Sequence, residues 1–116
     1  MAWRVEFARD ADGDLALIFD HLFESYRSFG ETADEAAEHA AARIRAIVDG
    51  ATRLGDTPYI GTLSPDHGPG LRYLRRDGAV IWFTLHEATE TLRVLAIFFG
   101  GQDHRRHMLL RLLSGR

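Results

Sequence analysis

The dipeptide Asp77-Gly78, set between two runs of alternating side chains, constrains this chain more than any other feature. Both residues tolerate the positive φ angles of a two-residue type I′ turn, so residues 71–76 and 79–87 are expected to pair as a tight hairpin. The second arm is rich in β-branched and aromatic residues (Val80, Ile81, Trp82, Phe83, Thr84), and Ala88-Thr89 interrupts the apolar run before residues 92–99 begin another. Three consecutive strands make an antiparallel meander. The two-residue turn sets Leu74 opposite Ile81 and Tyr73 opposite Trp82, gathering Leu74, Ile81, Phe83 and Leu85 on one face. That face must be covered.

The cover lies upstream. Leu15, Ile18, Phe19, Leu22, Phe23 and Tyr26 recur at the spacings of an amphipathic helix. Asp10 or Asp12 would cap its start, Asp14 would favour its positive N-terminal end, and Gly30 follows its close. Thr32 and Glu35 stand at capping-box spacing and open a second helix. Its inner stripe (Ala37, Ala40, Ile44, Ile47, Val48, Ala51) carries small residues that let two helices approach closely, and Gly55 and Pro58 mark its end. Before this helical hairpin, Trp3, Val5 and Phe7 alternate with Arg4 and Glu6 as a first strand. The expected fold is α+β: one domain over residues 1–116, an N-terminal strand and a helical hairpin packed on an antiparallel meander, in the order β-α-α-β-β-β. A short helical tail closes the chain. Residues 55–70, with three prolines and four glycines, read as an exposed loop.

A chain of 116 residues is too short for two independent cores. It has no cysteine, which excludes a disulfide frame and a thiolate zinc site. No apolar run has the length of a signal peptide or a membrane span. The net charge of −3 conceals an asymmetry: residues 1–68 carry 13 acidic and six basic side chains, whereas residues 69–116 carry four and eight. The sheet half is therefore suited to an acidic partner. All 14 basic residues are arginine, whose planar donor fork pairs with carboxylates and phosphates and stacks on aromatic rings.

Gly70-Leu71-Arg72 entering a hairpin, the arm Val80-Ile81-Trp82-Phe83, and Leu92-Arg93-Val94-Leu95 leading to Gly100-Gly101-Gln102-Asp103 and Arg106-His107 resemble the ParE branch of the RelE/ParE superfamily of toxin–antitoxin toxins. The resemblance spans nearly the whole chain. It implies a cytoplasmic toxin of a type II system, concerned with plasmid stabilisation and held inactive in a hetero-oligomer by a cognate ParD-like, ribbon-helix-helix antitoxin. It implies no cofactor, no membrane association and no direct nucleic-acid binding without the antitoxin. ParE-type members poison DNA gyrase, whereas RelE-type members cut messenger RNA on the ribosome. An antitoxin laid along the toxin would meet Arg72, Arg75 and Arg93 with its carboxylates and Trp82 or Phe83 with apolar side chains.

The two activities demand different residues. Cleaving RNA requires a base, an acid and cations converging on one phosphate. Ribonuclease-type relatives place arginine early in the middle strand and again after the glycine ending the last strand. This chain has Val80, Ile81 and Trp82 at the first place and Gln102 at the second. Arg72, His86, His104 and His107 would be a reduced alternative set. Poisoning gyrase requires only a binding surface, for which Arg105, Arg106, His107 and Arg111 are the candidates, with Leu109, Leu110, Leu112 and Leu113 anchoring the tail. The same leucines and arginines also fit a plain amphipathic closing helix. A third possibility is a relative that binds antitoxin without being toxic. His104 and His107 at i and i+3 have the spacing of a metal pair, but Asp103 alone does not complete a shell, and no metal site is expected.

Overall fold

The computed structural model describes residues 2–100 and 103–114. The elements are β1 (Arg4–Phe7), α1 (Arg9–Ser28), α2 (Ala33–Thr52), a 3-10 turn (Arg53–Asp56), β2 (Thr62–Leu63), β3 (Arg72–Arg76), β4 (Ala79–His86), β5 (Thr91–Phe99) and α3 (His104–Leu113). One five-stranded sheet has the order β1-β5-β4-β3-β2. β1 lies parallel to β5, and the other pairings are antiparallel.

The hairpin forms as its turn chemistry dictates. Asp77 and Gly78 hold φ angles of 55° and 78°, and Leu74 pairs with Ile81 and Tyr73 with Trp82. Leu74, Ile81, Phe83 and Leu85 share the face that meets the helical hairpin, together with Ile18 and Leu22 of α1 and Ile47 and Ala51 of α2. α1 closes in a Schellman motif: the Gly30 N–H donates to the Arg27 carbonyl and the Glu31 N–H to the Tyr26 carbonyl, with Gly30 at φ 96°. α2 opens with the full Thr32/Glu35 capping box.

Several expectations are corrected. Ala8, which offers no side-chain cap, precedes α1, so Asp10 and Asp12 fall in its first turn and Asp14 lies inside the helix and is buried. The buried stripe of α2 includes Ala36 and Gly50 in place of Ala37 and Val48, which are only half-buried. The 55–70 segment is not wholly irregular, because Thr62 and Leu63 add β2 beside Tyr73 and Arg72.

A register shift between Trp82 and Phe83 sets up the second face. Trp82 pairs with Ala96 but Phe83 with Val94, leaving Leu95 as an extra residue in β5. The bulge exchanges the two faces of β5. Val94 and Ile97 both point into the helical-hairpin core, whereas Ala96 and Phe98 join Leu71, Val80 and Trp82 on the opposite side. That side is a second core, covered by α3. The first five residues of β4 are therefore buried whichever way they point.

Candidate functional site

α3 is seated on the second face mainly by polar contacts around one buried side chain. Met108 is 2% exposed and packs on Trp82, Ala96 and Phe98, with Leu112 at the margin. Asp103 caps the helix by accepting from the Arg106 N–H at 3.3 Å. Toward its other end, Arg111 makes a two-pronged ion pair with Asp14, both N···O distances being 2.7 Å. The Asp14 carboxylate also accepts the Ile97 N–H at 2.9 Å, on the β5 edge beyond the last pairing with β1. One carboxylate thus joins α1, β5 and α3. Its hydrogen bond raises the pKa of Arg111 above the ordinary guanidinium value.

The first turn of α3 is held from the β2–β3 connection. His67 lies 2.8 Å through Nδ1 from the Ser64 hydroxyl and 2.9 Å through Nε2 from the Arg105 carbonyl. A carbonyl only accepts, so Nε2 carries the proton, and in the neutral ring Nδ1 accepts from Ser64. His104 stands beside it, its ring 4.9 Å from that of Tyr73 and 5.6 Å from that of Trp82. Arg105 donates to the Tyr73 hydroxyl, with its guanidinium 5.3 Å from the ring centre. Burial lowers the His104 pKa, and the charges of Arg75 and Arg105 lower it further. Its Nδ1 and the Trp82 Nε1 are buried without a hydrogen-bond partner among the described residues.

The residues suggested as an acid–base set are not brought together. Arg72 pairs across β3–β4 with Phe83, on the helical-hairpin side, and donates to the Tyr59 carbonyl at 3.0 Å. His104 contacts the other side of the sheet. His86 lies at the far end of β4, beside Thr84, and His107 rests on Phe98. The antitoxin set is also dispersed. Trp82 and Phe83 are fully buried on opposite faces and cannot serve as surface contacts, because α3 covers one and the helical hairpin the other. Arg75 neighbours His104, whereas Arg93 lies beside Glu6 at the β1 side of the sheet.

The tail set changes most. Arg111 is consumed by Asp14, whereas Arg105, which donates to Tyr73, stays exposed with Arg106 and His107. Leu109, Leu110 and Leu113 are 43%, 53% and 74% exposed, so the anchors are Met108 and Leu112 and three of the expected leucines face solvent. Of the tail motif, Gly101 and Gln102 lie outside the described residues. Among the described residues no group of three His, Asp or Glu side chains is placed to hold a metal, and no helix is long and apolar enough to cross a membrane.

Asp14 and His67 are the site residues that sequence reasoning missed. For Asp14 a signal existed, since positions 14, 18 and 22 fall on one helical stripe with Ile18 and Leu22, and a carboxylate on a buried stripe needs a partner. Nothing local marks His67, whose partner is 38 residues away.

A helical hairpin on one face of a five-stranded, mostly antiparallel sheet, with a terminal helix on the other face, is a fold this chain shares with solved ParE- and RelE-type toxin structures. Among solved structures the chain is similar to one from the chromosomal ParDE toxin–antitoxin system of P. aeruginosa, with a TM-score of 0.62 and 22% identity over 85% of this chain and 97% of that one. It is also similar to a chain of the Mycobacterium tuberculosis RelBE2 toxin–antitoxin complex (TM-score 0.57, 14% identity, 85% and 99% covered). A third likeness is to the isolated E. coli RelE toxin (TM-score 0.52, 9% identity, 97% and 99% covered). No family sequence model and no curated protein sequence matches the chain.

Proposed function

We propose that this chain is the toxin of a type II toxin–antitoxin system, neutralised by a ParD-like antitoxin, and that it acts by binding DNA gyrase through the outer face of α3. The observation that carries this reading is the apolar character of the outer side of that helix. Arg111 turns inward to Asp14, while Leu109, Leu110 and Leu113 face solvent beside Arg106 and His107. Outward leucines flanked by cations fit a contact helix better than a closing helix. For the antitoxin, a groove of about 340 Å³ between α1 and α3, bordered by Leu17, His21, Phe99 and His107, is a more fitting seat than the buried Trp82 and Phe83.

The test sets gyrase supercoiling and cleavage-complex formation beside ribosome-dependent cleavage of messenger RNA. Poisoning of gyrase that weakens in Arg106→Ala supports the reading; untouched gyrase with cleaved message defeats it. One observation favours the ribonuclease alternative. His104, Tyr73, Arg75 and Arg105 converge at one end of the sheet, a grouping with an imidazole, a phenol and two cations. Loss of message cleavage in His104→Ala and Tyr73→Phe would be its signature.

A further inference from the structure

We propose that His104 makes the seat of α3 an acid-sensitive latch: with its imidazole neutral the helix lies on the sheet, and protonation of His104 frees its first turn and uncovers Trp82. The geometry leaves a second proton on His104 nowhere to go. With the neutral ring protonated on Nε2, Nδ1 is the nitrogen that would receive it, and Nδ1 is buried without a hydrogen-bond partner among the described residues. An imidazolium would place a buried N–H there with nothing to accept it, although the ring as a whole is only half-buried.

The groups facing His104 make the charge less welcome still. β3 contributes Tyr73 and Arg75, β4 contributes Trp82, the β2–β3 connection contributes His67, and α3 itself contributes Asp103 and Arg105. Asp103 is the one carboxylate of this set, and it is engaged in capping by the Arg106 N–H. A protonated His104 would be a third cation beside Arg75 and Arg105. It is also the first residue of α3, at the positive end of the helix dipole, where a cation is disfavoured.

His67 adds the mechanical link. Neutral, it accepts from Ser64 and donates to the Arg105 carbonyl, tying the connection to the residue next to His104. Arg111 keeps its charge at every relevant pH, so its clamp on Asp14 holds the other end of the helix while the first turn opens.

The sign follows from linkage. Seated His104 has a pKa below the value of about 6.5 that it regains when freed. Above both values seated and freed forms are neutral and the latch does not respond to pH. As the pH falls below the freed value, only the freed form takes up a proton, and the opening constant rises by up to about tenfold per pH unit until the seated value is passed.

The full chain carrying Trp3→Phe leaves Trp82 as its single tryptophan and provides the readout. Between about pH 7.5 and pH 5, Trp82 emission should shift to the red and its quenching by acrylamide should rise, while the far-ultraviolet signal of α1 and α2 holds. His104→Phe in that background, which keeps a ring but cannot titrate, should abolish the response. Should that variant fail to seat α3 at neutral pH, His104→Gln serves in its place. An independent measurement is the titration of the His104 ring by NMR in the unmodified chain, expected below the ordinary histidine value. Unchanged Trp82 quenching across the range, an undiminished response in the His104 variant, an ordinary His104 titration, or simultaneous loss of the whole fold would each overturn the latch.

Discussion

Asp14 of α1 and Arg111 of α3, 97 residues apart in the chain, meet through two 2.7 Å hydrogen bonds in which the carboxylate is almost wholly enclosed. Removing Arg111 leaves the buried Asp14 charge with the Ile97 N–H but no counter-ion, and removing Asp14 leaves a largely enclosed guanidinium without its carboxylate. Arg111→Ala should therefore cost about 3 kcal/mol of stability, and Asp14→Asn a comparable amount, in urea denaturation. The double variant Asp14→Asn with Arg111→Met should recover part of the loss, because the neutral amide oxygen still accepts the Ile97 N–H and no unpaired charge is left. A loss within experimental error for either single variant would show that the pair does not hold α3.

The type I′ turn makes a separate demand. Gly78→Ala places a Cβ at a φ of 78°, close to the Phe99 ring, and should destabilise the fold by about 1–2 kcal/mol. Asp77→Gly, at a φ of 55°, should be tolerated. A midpoint of thermal unfolding that is equal in the two variants would argue against the turn as drawn.

α3 offers a comparison within one helix. Replacing Leu109, Leu110 and Leu113 singly by serine should change stability by no more than about 0.5 kcal/mol, as at most exposed positions. Met108→Ala should cost about 2–5 kcal/mol, since it opens a cavity over Trp82 and Phe98. If the serine variants keep their stability yet lose gyrase binding in a pull-down, the outer face is the contact. Full binding by all three would remove it from consideration.

The start of α2 supplies a pH dependence of the same sign as that of His104, in the carboxylate range rather than the histidine range. The Glu35 carboxylate accepts the Thr32 N–H and is held below its ordinary pKa by the hydrogen bonds with Thr32. A lowered carboxylate pKa stabilises the fold above the unfolded value of about 4.3, and this support is lost as the pH falls through the folded value. Amide exchange at the first turn of α2 should rise in that acidic window, and Glu35→Gln should flatten the dependence.

The sequence by itself determined whatever depends on neighbours along the chain. Asp77-Gly78 imposed both the turn and the Leu74–Ile81 register, because φ > 0 at two adjacent positions permits little else. Thr32 and Glu35 opened α2, and Gly30 ended α1, because caps act within a single turn. The period of α1 announced its buried face.

Tertiary structure decided which candidate residues remain available for function. Strand alternation puts Trp82 and Phe83 on opposite faces, but only the docking of α3 buries Trp82, and only the bulge at Leu95 turns Phe98 toward that helix. Within α3, the leucines would read as anchors by hydropathy alone. A buried carboxylate from the far end of the chain requires Arg111 on the inner side, and a rigid helix that points Arg111 inward must turn Leu109, Leu110 and Leu113 to solvent. The physical reason is the cost of an unpaired buried charge, which exceeds the gain from covering an exposed leucine, and the partner that sets this cost is invisible in the local sequence.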